Sequence, residues 1–335
     1  MTKELPVYEI VMVIGVDGVG RFYEQAKTPT LDNFFKDGIY WRNAKAVTPT
    51  ESAENWGSLL HGVLPEKHKL TNGIVESGKP YDENSIYPSI FKIISHSSVT
   101  KINEGVVGET GSSTSQDINK SANNKLEMAS YVSWEPINTA IIEESVEMER
   151  YAPLTNEWFF WRWWMLIKHK WLKNSIYDYF TISRLVDYIK KLDDKGKKFI
   201  FVHLTDTDEH GHDRGFGSNG HLKQIGIMDD HLKTIFEAIE EKKKGEWKDK
   251  RILVLITTDH GGINHEDGRG THGGRSEEEI NVFLTVKGDL IDKAELEDEE
   301  CNMNSAAVIL KALGAEIPKN LDTKLPIYLS DKKNT

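Results

Sequence analysis

Three short apolar runs, each ending in a knot of Asp, His, Gly and Thr, constrain this chain more than any other feature. Val7 to Val16 is a continuous β-branched apolar stretch, and Lys198 to Leu204 (KFIFVHL) and Arg251 to Thr257 (RILVLIT) repeat the pattern. Runs of this kind are those of strands buried on both faces of a parallel sheet. In open parallel sheets ligands sit outside the carboxyl ends of the strands. The clusters at the ends of these three runs are therefore the first places to look for chemistry.

Helical patterns lie between the strands. Thr181 to Leu192 sets Ile182, Leu185, Val186 and Ile189 at helical spacing, and His221 to Ile239 does the same with Leu222, Ile225, Met228, Leu232 and Ile235. Alternating strands and helices predict an α/β fold. One interval breaks the rhythm. Ser95 to Asn124 is rich in Ser, Thr, Asn and Gly, and it is followed by Trp134 and by Trp158, Trp161, Trp163, Trp164 and Trp171. Residues 96–178 read as an insertion or cap within one domain spanning 1–335. The Trp-rich run reads first as the core of that cap. A nucleobase-stacking wall, or an interfacial helix with Lys168, Lys170 and Lys173, are its alternatives.

Composition narrows the partners. The 335 residues carry 42 Lys+Arg against 53 Asp+Glu, a formal net charge of -11, which removes the usual electrostatic basis for binding a nucleic-acid polymer or an anionic membrane. Cys301 is the only cysteine, so neither an intrachain disulfide nor a thiolate metal cluster can form. That usage fits a reducing compartment, and a cytoplasmic location is expected. Within the N-terminal stretch the apolar run from Val11 to Val16 is preceded by Glu4 and Glu9 and ended by Asp17, and reads as a strand, not a leader. Trp158 to Ile167 is too short to span a bilayer, so no stable membrane insertion is expected.

The polar clusters carry the chemistry. Asp17 follows the first run in GVDGVG, where an Asp is ordinarily a turn former. The second run leads into TDTDEHGHDRG, with two overlapping Asp-x-x-x-His pairs, Asp206/His210 and Asp208/His212. A carboxylate and an imidazole at that separation can converge on one cation. The third leads into TTDHGGINHEDGRGTHGG, which holds Asp259, His260, His265 and His272 among glycines that let side chains crowd a small site. A fourth segment offers Thr48, Thr50 and Ser52 ahead of a short helix predicted over Asn55–His61. There a hydroxyl is by default an N-cap, yet the same geometry presents a nucleophile to an anion. His61, His68 and His203 read as structural, and His265 as exposed or a spare donor.

Together these segments resemble the alkaline phosphatase superfamily, most closely its type I phosphodiesterase/nucleotide pyrophosphatase branch. The resemblance is carried by VDG at Asp17, PTESAEN around Ser52, GVLPEKH from Gly62 to His68, DEHGHDRG at Asp208 and His212, TDHGG at Asp259 and His260, and THGGRSEEE at His272. It implies a three-layer sandwich with a mostly parallel central sheet and an inserted cap. It also implies two divalent metal ions, Zn²⁺ first and Mn²⁺ as the alternative. One ion would be held by Asp208, His212 and His272, the other by Asp17, Asp259, His260 and the nucleophile Ser52. Asp206 and His210 then fall outside the ligand set.

The resemblance further implies a hydrolase acting on a small phosphate ester or nucleotide through a covalent Ser52 intermediate. Asn55 is expected to donate to a phosphoryl oxygen, and Asn55 and Trp56 to contact the substrate. The branch commonly has Thr followed by Phe-Pro-Asn, whereas this chain has Ser52-Ala53-Glu54-Asn55. That departure keeps a phosphomonoesterase or phosphonate hydrolase open as an alternative, and from another class a catalytically inactive, metal-stabilised binding protein. The segment lacks the Pro and Arg of a sulfatase signature, so a sulfatase is not expected.

Overall fold

A computed structural model describes residues 5–97, 126–157 and 176–330. The hub is β1 (Ile10–Val16), all seven residues of which are buried. It pairs in parallel with β5 (Lys197–Leu204) on one side and β6 (Ile252–Thr257) on the other. These are the three apolar runs of the sequence. The expected first strand begins three residues later than its apolar run, because Tyr8 and Glu9 turn aside to bond Ala312 and Arg251.

The sheet has nine strands. Numbering the others in chain order as β2 (Ile39–Lys45), β3 (Leu126–Val132), β4 (Glu149–Tyr151), β7 (Ile263–Asn264), β8 (Gly270–Thr271), β9 (Asn281–Gly288), β10 (Ala294–Leu296) and β11 (Glu300–Cys301), the order is β10-β2-β9-β6-β1-β5-β3-β4, with β11 also on β2 and β7-β8 a separate hairpin. Only the pairings of β9 with β2 and β6 are antiparallel, so β9 alone runs against the rest of the described sheet.

Both faces of the sheet are covered, which is why its strands are apolar without alternation. Ile10, Met12, Ile14 and Val16 face a core shared with α1 (Pro29–Asp37), α3 (Tyr177–Lys191) and α5 (Asn219–Lys243). Val11 and Val13 face the other core, with α2 (Ser52–His61) and α6 (Ser305–Ala312). The α/β three-layer sandwich is therefore present. The helix at 177–191 starts four residues before the predicted span and ends one residue short of it, and the helix at 219–243 extends its predicted span at both ends; Ser218 caps α5 by accepting the His221 N–H at 3.2 Å.

The interval 96–178 needs a correction. Its stretches Leu126–Val132 and Glu149–Tyr151 are strands of the central sheet, in parallel register with β5 and with each other, and do not form a body beside it. Their mixed sequences, LEMASYV and ERY, lack the apolar continuity that marks β1, β5 and β6. Most of the Ser/Asn-rich segment (98–124) and the Trp-rich run from Trp158 to Trp171 lie outside the described residues. Among the described residues no helix is long and apolar enough to cross a membrane.

Candidate active site

Strand order puts the site at the hub. The chain continues from β1 to strands on both sides of it, and the carboxyl ends of β1, β5 and β6 deliver Asp17, α4 (Asp206–Arg214) and Asp259–His260 to one place. The β1 and β5 ends are locked together: Asp17 N donates to Leu204 O at 2.9 Å, and the Thr207 hydroxyl donates to Asp17 O. Gly18 makes this approach feasible. It sits at φ +66°, and a Cβ there would lie 2.6 Å from Asp208 Oδ1.

Within α4 the i,i+4 spacing sets Asp208 Oδ2 3.2 Å from His212 Nε2. Asp206 turns away, and its carbonyl accepts from His210 Nδ1 at 2.9 Å. Gly270–Gly274 brings His272 over the same point, and Thr50 anchors that loop from below. The Thr50 carbonyl accepts from His272 Nδ1 at 2.9 Å, and its hydroxyl donates to Gly274 O at 3.0 Å and accepts from Gly273 N at 3.1 Å. His265 lies exposed in the β7-β8 hairpin.

Helix α2 starts at Ser52, three residues before the predicted Asn55, and Ser52 is not its cap. The Ser52 hydroxyl instead lies 3.1 Å from His260 Nε2.

The three imidazoles share one tautomer. Nδ1 of His212, His260 and His272 faces the carbonyls of Gly270, Gly261 and Thr50 at 3.1, 2.9 and 2.9 Å, so each Nδ1 carries a proton and, in the neutral ring, each Nε2 offers a lone pair. Those lone pairs converge. His212 Nε2 and His272 Nε2 are 3.0 Å apart, and His260 Nε2 lies 3.2 Å from Asp259 Oδ2 and 3.5 Å from Asp17 Oδ1. Asp17 Oδ1, Asp208 Oδ1 and Asp259 Oδ2 are each buried without a hydrogen-bond partner.

Electrostatics records the same crowding. Burial pushes the Asp259 carboxyl well above its ordinary range, and the neighbouring Asp17 and Asp208 push it further. Against the upward pull of burial, the His203 hydrogen bond and the His260 charge hold Asp17 well below its usual value. His212 is pushed up to about 9 by its hydrogen bond to Asp208.

These residues fit divalent cations. Lone-pair imidazoles, carboxylate oxygens without donors and no thiolate form the donor set of Zn²⁺ or Mn²⁺, and a cation removes both the lone-pair opposition and the orphaned oxygens. Asp17, Asp259 and His260 bring one ligand atom each within 4.8 Å of one another, as do Asp208, His260 and His272. The second group has His260 where the sequence suggested His212. His212 Nε2 lies beside that group, 3.2 Å from Asp208 Oδ2 and 3.0 Å from His272 Nε2.

Two expected contacts are corrected. Asn55 is fully buried, its amide donates to the carbonyls of Val47, Pro49 and Glu51 at 3.3, 3.2 and 3.0 Å, and its Oδ1 accepts from Val47 N at 2.9 Å. It holds the loop before the nucleophile and has no donor left for a phosphoryl oxygen. Trp56 is also fully buried; its indole crosses under β1 and donates to Asp17 Oδ2 at 3.0 Å. Both side chains face protein in this structure.

Other residues take their places. Half-buried Asn72 accepts from Ala53 N at 2.8 Å and donates to Glu51 Oε2 at 2.8 Å, which sets an amide side chain against the Ser52 turn. Glu51 Oε2 lies 3.6 Å from His272 Nδ1. His203, expected to be merely structural, reaches Asp17 Oδ2 at 2.9 Å. His61 and His68 are buried and fully bonded, as expected.

Comparison with known proteins bears on the family and the fold. The family model for type I phosphodiesterase/nucleotide pyrophosphatase matches residues 11–312. A 2,3-bisphosphoglycerate-independent phosphoglycerate mutase of Campylobacter jejuni (strain RM1221) is 31% identical over 141 residues, 42% of this chain and 26% of the mutase. The alignment thus spans about a quarter of the mutase's length. Murine ectonucleotide pyrophosphatase/phosphodiesterase 5 superposes with a TM-score of 0.64 at 12% identity, covering 92% of this chain and 96% of that one. The phosphonate monoester hydrolase of Agrobacterium radiobacter gives 0.62 at 12% identity, covering 96% and 77%. These superpositions establish the fold.

Proposed function

The chain belongs to the type I phosphodiesterase/nucleotide pyrophosphatase family, within the alkaline phosphatase superfamily, and from that premise we propose a metal-dependent phosphoesterase that cleaves small phosphate esters or nucleotides through Ser52. The observation that supports the reading is the convergence of three Nε2 atoms, free to ligate once their rings are neutral, and three donor-less carboxylate oxygens beside the Ser52 hydroxyl. Asp208, His212 and His272 would hold one divalent ion, and Asp17, Asp259, His260 and Ser52 the other. Bound there, Zn²⁺ or Mn²⁺ supplies Lewis acidity and charge neutralisation for phosphoryl transfer.

The protein's own groups do the rest. Ser52 stands in the first turn of α2, so the helix N-terminus favours an approaching anion. The carbonyls of Gly261, Gly270 and Thr50 fix the imidazole planes. Asn55 holds the loop from Val47 to Glu51, so Ser52 is presented without reorganisation. Asn72 is the amide placed to meet a phosphoryl oxygen. The overall negative charge ceases to oppose a small anionic substrate, because two divalent cations would reverse the local field.

The diester or pyrophosphate reading follows the family. A monoester or phosphonate reading, and phosphoryl transfer to an acceptor other than water, draw support from the likeness to the phosphonate hydrolase and the mutase. Parallel assays on bis(p-nitrophenyl) phosphate and p-nitrophenyl phosphate with Zn²⁺ or Mn²⁺ separate them. In both, Ser52→Ala is expected to lower kcat by on the order of 10³-fold or more. Full activity in that variant removes Ser52 as nucleophile, and two bound ions with no turnover revive the inactive binding protein. A cytoplasmic site of action is part of this proposal, supported by the lone, part-buried Cys301.

A further inference from the structure

Asp17 is held from behind by two donors on one oxygen. His203 Nε2 lies 2.9 Å and Trp56 Nε1 3.0 Å from Asp17 Oδ2, while Oδ1, 3.5 Å from His260 Nε2, has no hydrogen-bond partner. The donors come from different elements, β5 and α2, and their rings brace each other edge to face with centroids 4.9 Å apart at 88°. A carboxylate without such partners can rotate and offer either oxygen. Two donors converging on Oδ2 fix the plane of the group and leave Oδ1 alone facing the centre.

The cost of this arrangement shows that packing does not explain it. His203 is completely buried, yet its Nδ1 has no partner. A buried unpaired polar atom is destabilising, and a phenyl ring in its place would avoid that, so what the imidazole gains here is its bond to Asp17. Trp56 makes a similar demand on β1. A Cβ on Gly15 would lie 2.5 Å from the indole, so the strand gives up a side chain to let the ring reach Asp17.

We propose that His203 and Trp56 form a positioning pair for Asp17, fixing its Oδ2 so that Oδ1 alone is presented to a divalent cation. This rests on the metal-dependent reading of the site. Neither residue touches substrate or the reacting atoms; both act through Asp17. Removing either donor lets the carboxylate swing, and the loss appears first in cation affinity at the Asp17, Asp259 and His260 group.

The test titrates metal-stripped protein with Zn²⁺ against a chromophoric chelator. His203→Phe is expected to weaken one Zn²⁺ equivalent by about 10- to 100-fold, His203→Gln, which keeps a donor near the Nε2 position, to restore most of that loss, and Trp56→Phe to weaken the same equivalent. In turnover, kcat should fall with KM little changed. The melting temperature of each metal-free variant shows that it is folded. Where His203→Phe does not fold, Trp56→Phe and His203→Gln carry the test. Wild-type affinity in folded His203→Phe or Trp56→Phe, alongside a lost equivalent in an Asp259→Ala control, overturns the positioning pair and leaves the metal reading standing. A wild-type protein that takes up no divalent ion overturns both.

Discussion

His212 and His272 point their Nε2 atoms at each other across 3.0 Å, although each ring has its Nδ1 proton bonded to a backbone carbonyl. In neutral rings two lone pairs therefore oppose each other, and only a shared proton or a cation relieves the contact. Divalent cations should accordingly stabilise the fold. At a hundredfold excess over Kd, one Zn²⁺ adds about 2.7 kcal/mol. Thermal melts with Zn²⁺ and with EDTA measure this, and coincident curves would contradict the metal assignment.

Asn55 and Asn72 should separate stability from activity. Asn55→Ala leaves Val47 N and several loop carbonyls without their partner, and is expected to cost about 1–3 kcal/mol. Asn72→Ala removes the bonds to the Ala53 amide and to Glu51, together worth about 1–2 kcal/mol, but should depress kcat/KM more than its small stability loss explains. Urea unfolding paired with steady-state kinetics reads both. An Asn55→Ala protein as stable as wild type would contradict its loop-holding role.

Acid should weaken the fold through two imidazoles locked in the neutral form. Leu70 N donates to His68 Nδ1 at 3.0 Å and Gly217 N to His221 Nδ1 at 3.0 Å. Burial lowers their pKa from 6.5 to about 3 and about 4. Between those values and 6.5 the unfolded chain binds the extra protons, so stability is complete above pH 6.5 and declines as pH falls below it. Melts from pH 7 to pH 4.5 should show the decline. His68→Gln should melt lower at pH 7 but with a shallower slope, and an unchanged slope would remove His68 from the account.

Gly15→Ala tests the indole's path beneath β1. The new methyl would lie 2.5 and 2.6 Å from two ring carbons of Trp56, and the indole is fully enclosed. Overpacking of this kind costs about 1–3 kcal/mol. Chemical denaturation measures it, and a Gly15→Ala, Trp56→Phe double variant should recover part of the loss. A neutral Gly15→Ala would show that the indole has room to move.

The sequence made the ligand-bearing strand ends legible because their signals are local. Apolar runs stop abruptly at Asp17, Thr205 and Thr258, and Asp208 and His212 lie one helical turn apart. Residues that act through tertiary contacts were not legible. His203 sits inside an apolar strand and looks like core, and its partner Asp17 is 186 positions away. The substrate contacts expected of Asn55 and Trp56 came from the family resemblance and not from spacing. Every residue of α2 is buried, however, so the positions after Ser52 face protein. Asn72 lies beyond a turn and a short helix, with nothing in its spacing to tie it to Ala53. Strands β3 and β4 were missed because their polar residues imitate a surface segment.

The placement of β1 between β5 and β6 has a consequence for the order of assembly. On the ribosome β1 emerges long before either neighbour, with both hydrogen-bonding edges bare and an entirely apolar sequence. Closing such long loops adds little entropy beyond closing shorter ones, but non-local pairing slows folding. Until β6 has been made and docked, the nascent chain carries a central strand exposed along one edge. The two proposed ligand sets are completed only late, one when His260 and the other when His272 has been synthesised. Newly made protein should therefore depend on protection from aggregation during synthesis, and cations can stabilise only its final, closed form.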